Sequence, residues 1–126
     1  MSALESHSTG IGNYPALVVV DMCKAFLDPL SPLGFRCPEL IDANINLVEK
    51  FRVKELPIFF TTTIYRNDLE ASTFRKKLPA LNILKPNSEE VSFLRELQPM
   101  STEKIIEKKF ASAFFQTNFY DLLELK

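Results

Sequence analysis

The run Leu17-Val-Val-Val20, closed by Asp21, constrains this chain more than any other stretch. Aliphatic residues in series, without polar alternation, fit a strand covered on both faces, as strands of parallel sheets are. An acid at the carboxyl end of such a strand stands where open α/β sheets gather their ligands. Asp21 therefore has two readings. It caps a turn or a helix start, or it serves as a base toward a substrate or a nucleophile.

Charge points to no polyanionic partner. Fifteen Lys and Arg face sixteen Asp and Glu, for a net charge of −1, so neither nucleic acid nor a membrane surface is expected as a partner. A chain of 126 residues, 46% hydrophobic and 25% charged, suits one globular domain or part of one. No apolar run reaches the roughly 18 residues of a spanning helix. The first ten residues lack the basic start and apolar centre of a signal peptide. Cys23 and Cys37 show no metal-type spacing, and reduced thiols in a cytoplasmic protein are the expected state. The single histidine, His7, leaves a histidine metal site or a Ser-His-Asp triad without its parts.

Met1 to about Ser8 reads as a flexible polar leader, and Thr9 to Pro15 as a turn-rich approach to the first strand. Leu27 to Gly34 holds Asp-Pro, Ser-Pro and Gly, and reads as a loop leaving that strand. Pro38 to about Lys54 carries Leu40, Ile41, Ile45, Leu47, Val48 and Phe51 on an apolar stripe, which predicts a helix. Leu56 to Thr63 predicts a second strand with Pro57 at its start. Thr73 to Leu84 is partly helical, interrupted by Pro79. Ser88 to Leu97 predicts a helix, with Ser88 as cap and two glutamates in its first turn. Lys104 to Glu107 predicts a third strand. Lys108 to Thr117 then reads as a loop, and Phe119 to Leu125 as a last helix capped by Asn118. Strands alternating with helices imply a parallel sheet with right-handed crossovers.

In such a sheet Asp21 and Lys108 end strands at the same rim. They form either a structural ion pair or two parts of a catalytic set. In the second case the acid is the base, the lysine holds it and stabilises developing negative charge, and a nucleophile is missing.

Five segments together resemble one family. They are Thr9-Gly-Ile-Gly with Pro15 to Met22, Phe26 to Gly34, Leu56 to Thr63, Phe74 to Leu81, and Ile105 to Thr117. In this order and spacing they resemble the isochorismatase-like cysteine hydrolases, nearest the N-carbamoylsarcosine amidohydrolase group. The resemblance implies a three-layer Rossmann-like α/β fold with a parallel sheet. It also implies hydrolysis of C–N bonds in a small amide or ureido substrate by a Cys-Asp-Lys mechanism. Asp21 matches the family's aspartate. Lys108, four residues before Ser112, matches its lysine, and Lys109 does not. Phe26 matches an aromatic near the substrate pocket. Cys23, Lys24 and Ala25 stand where Gln, Asn and Asp are frequent, which leaves the substrate open. Tyr65 stands where metal-binding members often carry histidine, so no zinc and no other cofactor is expected.

The family's nucleophilic cysteine follows a fourth strand, beyond the helix matched by Asn118 to Lys126. Neither Cys23 nor Cys37 matches it. The expectation is of a partial hydrolase domain over residues 9–126, holding strands 1 to 3 of a sheet ordered 3-2-1-4-5-6 and inactive as a truncated chain. Strand 1 is then an open edge prone to self-association. The full-length form is expected to be a homo-oligomer acting on a small molecule. The alternative is a non-catalytic pseudoenzyme or assembly partner built on the same half-fold.

Overall fold

The computed structural model describes Gly10 and residues 12–126. The expected leader and His7 lie outside the described residues. Three strands form one parallel sheet in the order β1-β2-β3: β1 is Leu17–Val20, β2 is Ile58–Thr63 and β3 is Lys104–Lys108. Leu17 pairs with Ile58 and Val20 with Thr61, while Phe59 pairs with Lys104 and Thr63 with Lys108. The parallel α/β arrangement expected from the alternation of elements is the one observed.

The fully covered strand is β2, not β1. All six residues of β2 are buried. In β1, Leu17 and Val18 are half-buried, Val19 is buried, and Val20 is 57% exposed. Its apolar run suggests a doubly covered strand, and both faces do pack, Leu17 and Val19 with Ile58 and Phe60 and Val18 with Phe59 and Ile106, but β1 ends the strand order and Val20 is left uncovered.

Helix α1, Lys24–Leu27, is a single turn that the sequence pattern did not reveal. Helix α2, Pro38–Val53, is the crossover between β1 and β2. Pro38 opens it without wasting an N–H, and Glu39 meets the positive end of the dipole. Its apolar stripe packs Ile41, Ile45, Val48 and Phe51 against Leu17, Val19, Ile58 and Phe60 of the sheet. Burying a phenylalanine such as Phe60 contributes about 2–3 kcal/mol. At the far end of α2, the Arg52 guanidinium grips Glu103 at 2.7 and 2.9 Å and ties the helix to the approach of β3.

The opposite sheet face packs Phe59 and Ile106 against Phe119 of α4, Phe119–Glu124. The rings of Phe59 and Phe119 meet edge to face, with centroids 5.2 Å apart. A third cluster lies beyond the carboxyl rim, where Ala25, Tyr65, Leu81, Leu84 and Val91 are buried together. It is built from α1, the loop after β2, and the segment after α3, Ser72–Lys77. As expected, helix stops before Pro79, and a 3-10 turn follows over Pro79–Ile83.

Ser88 to Leu97 is not the expected helix. It holds two 3-10 turns, Glu89–Val91 and Arg95–Leu97, with an extended stretch between them. Ser92 and Leu94 adopt ψ near 143° and 147°. Ser92 O accepts the N–H of Lys24, Leu94 N–H donates to Met22 O, and Phe93 bridges to Cys23. Pairing with the chain after β1 outweighs the local helix signal. Ser88 spends its hydroxyl on Lys85 O rather than on a cap.

Candidate active site

The carboxyl rim of the sheet brings Asp21 and Lys108 together. Asp21 leaves β1 in the left-handed region, at φ 54°, a conformation that aspartate tolerates better than most residues. Its backbone N–H donates to two atoms of Thr61 on the neighbouring strand, the carbonyl at 3.3 Å and Oγ1 at 3.1 Å. The Thr61 hydroxyl donates in turn to Asp21 Oδ1 at 2.8 Å. Lys108 Nζ lies 2.9 Å from Asp21 Oδ2.

The lysine is enclosed. Its side chain is 5% exposed, against 18% for that of Asp21. Nζ donates also to Phe110 O and Ala111 O, each at 3.2 Å. An ammonium has three donors, and three oxygens surround this one. A buried cation persists only when paired and hydrogen-bonded, and both conditions are met. The arrangement is a fixed positive charge beside a carboxylate that keeps partial access to solvent. Such a pair can accept a proton at the carboxylate and steady negative charge next to the lysine.

Lys109 belongs to a different group of charges. Adjacent residues at a strand end face opposite ways. Lys109 Nζ pairs with Glu107 at 2.8 Å and Glu70 at 3.0 Å and donates to Ile64 O. Arg66 grips the same Glu107 at 2.7 and 3.0 Å. The Arg66 hydrogen bonds hold the Glu107 carboxyl down to about 2; burial opposes them and Lys109 reinforces them. This network fastens the loop after β2 to β3.

Phe26 sits on α1, half-buried against the rim cluster of Ala25, Tyr65 and Leu84. Tyr65 Oη donates to Lys109 O at 2.8 Å, and the Arg75 guanidinium lies 4.6 Å above its ring. Burial raises the Tyr65 phenol above its ordinary value; Arg75 opposes this, and the charges of Asp21 and Glu70 add to it. Among the described residues, no group of three His, Cys, Asp or Glu side chains is placed to hold a metal ion.

Both cysteines are free thiols. Cys23 is 1% exposed, with Sγ 3.6 Å from Thr62 Oγ1. Burial pushes its thiol up to about 11, against the Thr62 hydrogen bond, with Asp21 adding to the rise and Lys108 opposing it. A neutral, enclosed thiol is a poor nucleophile. Cys37 is half-exposed just before α2, with Sγ 3.9 Å from Glu39 Oε2.

Thr61 and Thr62 escape a reading by strand preference alone, which sees only β-branched residues. A signal was available: threonines in a covered strand carry hydroxyls that must find partners. Here those partners are Asp21 and Cys23.

Residues 15–126 match the family model of the isochorismatase domain. Over 118 residues the chain is 36% identical to N-carbamoylsarcosine amidase from Arthrobacter sp, an alignment covering 86% of this chain and 44% of that protein. A cysteine hydrolase from Pseudomonas syringae pv. phaseolicola superimposes with a TM-score of 0.82 at 23% identity, covering 94% of this chain and 60% of that one. N-carbamoylsarcosine amidase from Thermoplasma acidophilum gives 0.69 at 26% identity, covering 90% and 62%. The chain thus spans less than half the length of the curated relative and about three-fifths of each structure.

Proposed function

The chain belongs to the isochorismatase family, and on that premise we propose that Asp21 and Lys108 are the acid–base part of a thiol-dependent hydrolase of C–N bonds. The substrate class is a small amide or ureido compound, the class indicated by relatives named as N-carbamoylsarcosine amidases. The observation that carries the reading is the 2.9 Å contact between Lys108 Nζ and Asp21 Oδ2 at the carboxyl rim of a parallel sheet.

In this mechanism a thiol lying against Asp21 gives its proton to the carboxylate. The Lys108 charge favours the resulting thiolate. The thiolate adds to the substrate carbonyl, and the C–N bond breaks as the amine leaves with the proton from Asp21. Water then releases the acyl group from sulfur, with Asp21 again as base. Phe26 contributes an apolar wall of the substrate pocket.

Neither Cys23 nor Cys37 serves as that thiol. Cys23 is enclosed and held neutral, and Cys37 opens a different element. The 126 residues alone are therefore inactive, and a thiol from outside them completes the set. The enclosed Cys23 equally favours a second reading, a non-catalytic assembly partner that keeps the fold and the ion pair.

Ammonia release from N-carbamoyl amino acids and simple amides separates the two. One sample is this chain. The other joins it to the segment of the Arthrobacter enzyme that follows the aligned region. No release by the chain and turnover by the fusion are expected, with turnover lost in Asp21→Asn and Lys108→Ala. Full turnover in both variants would overturn the assigned roles.

A further inference from the structure

Three threonines close the central strand, and each is buried: Thr61 is 0% exposed, Thr62 3% and Thr63 5%. A buried hydroxyl on a covered strand is costly unless it is bonded. The position opposite Val20 would otherwise suit valine, which has the same shape. The Thr61 hydroxyl makes two bonds, and both go to one residue. It accepts the Asp21 N–H at 3.1 Å and donates to Asp21 Oδ1 at 2.8 Å.

We propose that Thr61 is a positioning residue for Asp21, a clip on the rigid central strand that sets which carboxylate oxygen faces Lys108. A β-branched side chain has a stiff χ1, and a strand paired on both sides does not move. The single hydroxyl proton of Thr61 goes to Oδ1. Oδ2 is thereby turned to Lys108, which it meets at 2.9 Å. The second bond acts on the backbone. It steadies the left-handed turn at Asp21, φ 54°, which swings the side chain off the line of β1 toward β3. Without the hydroxyl, carboxylate and turn lose a common anchor, and Lys108 loses its fixed acceptor.

This inference rests on the acid–base reading of Asp21 and Lys108, but its test needs no turnover. The intact chain is labelled with trace acetic anhydride, and acetylation of Lys108 is measured against Lys104 and Lys109 by peptide mass spectrometry. Three proteins are compared: the chain itself, Thr61→Val and Thr61→Ser. Lys108 is expected to label slowly in the first and in Thr61→Ser. In Thr61→Val its labelling rises about fivefold relative to Lys109, the ratio that one hydrogen bond's net worth corresponds to. The Lys109 reference separates release of Lys108 from general loosening of the fold. Equal Lys108 labelling in Thr61→Val and the unsubstituted chain would overturn the inference. So would a rise in Thr61→Ser as large as in Thr61→Val.

A second measurement needs no variant. The Thr61 hydroxyl proton is expected as a slowly exchanging NMR resonance with cross-peaks to the Asp21 β protons, and its absence would also overturn the proposal. Hydrolysis that survives Asp21→Asn would remove the acid–base reading and leave these readouts standing. Unchanged labelling would remove Thr61 from the scheme and leave the hydrolysis assay standing.

Discussion

Lys108 Nζ meets Asp21 Oδ2 at 2.9 Å although the two residues end strands on opposite sides of β2. The contact spans the width of the sheet and holds both edges to one rim. Replacing the lysine leaves a carboxylate with little solvent and no counter-charge. Lys108→Ala is expected to lower stability by about 2–4 kcal/mol, less than a fully enclosed pair would lose because Asp21 keeps some exposure. Urea unfolding checks this. An unchanged midpoint would show the pair to be energetically idle.

Glu107 provides a separate acid sensitivity. Its carboxyl drops from an ordinary 4.5 to about 2 in the folded chain, chiefly through Arg66. A group that binds its proton less readily when folded contributes stability above its unfolded value and loses it as pH falls through the folded one. The stability lead of the chain over Glu107→Gln is therefore expected at neutral pH. It should shrink below about pH 4.5 and vanish near pH 2. Thermal melts of both proteins across that range test it.

The two thiols should separate cleanly. Cys23 is enclosed, with its thiol near 11, while Cys37 is half-exposed. Iodoacetamide at pH 8 is expected to alkylate Cys37 in the folded chain and Cys23 only in denaturant. Rapid alkylation of Cys23 in the folded chain would return it to consideration as a nucleophile.

Among the described residues β1 has a strand neighbour on one side, β2, which gives a further expectation. Leu17 donates its N–H to Pro57 O, just before β2, and Asp21 donates to Thr61 O within it, so by alternation the N–H groups of Val18 and Val20 point away from β2. An uncharged edge of this kind pairs readily with a second copy. Size-exclusion chromatography is expected to show concentration-dependent self-association, reduced in Val20→Lys, since that side chain is already 57% exposed. A monodisperse monomer at all concentrations would contradict it.

Much of the fold was legible because the elements that carry it are patterned over their whole length. The apolar runs of β1 and β2 and the stripe of α2 announce themselves, and Pro79 stops a helix where it should. The segment from Ser88 to Leu97 misleads because a good cap and acidic first turn are local signals. Its conformation is decided by Met22 and Lys24, far away in sequence. The pairing of Asp21 with Lys108 follows from parallel topology once both are placed at strand ends. The family resemblance selects Lys108 over Lys109, and the alternation of side chains gives the physical reason. Thr61 was hidden because sequence shows that a residue prefers strands, not where its hydroxyl points.

The most direct test of the account is kcat/KM for ammonia release by the fusion carrying residues 1–126, with and without Asp21→Asn. The substitution keeps the shape of the side chain and removes its ability to take a proton. The expected result is a fall of about 10²–10⁴ at a temperature where both proteins are folded, together with a lowered melting temperature, because the enclosed Lys108 ammonium loses its counter-charge. An Asp21→Asn protein as active as its parent would contradict it.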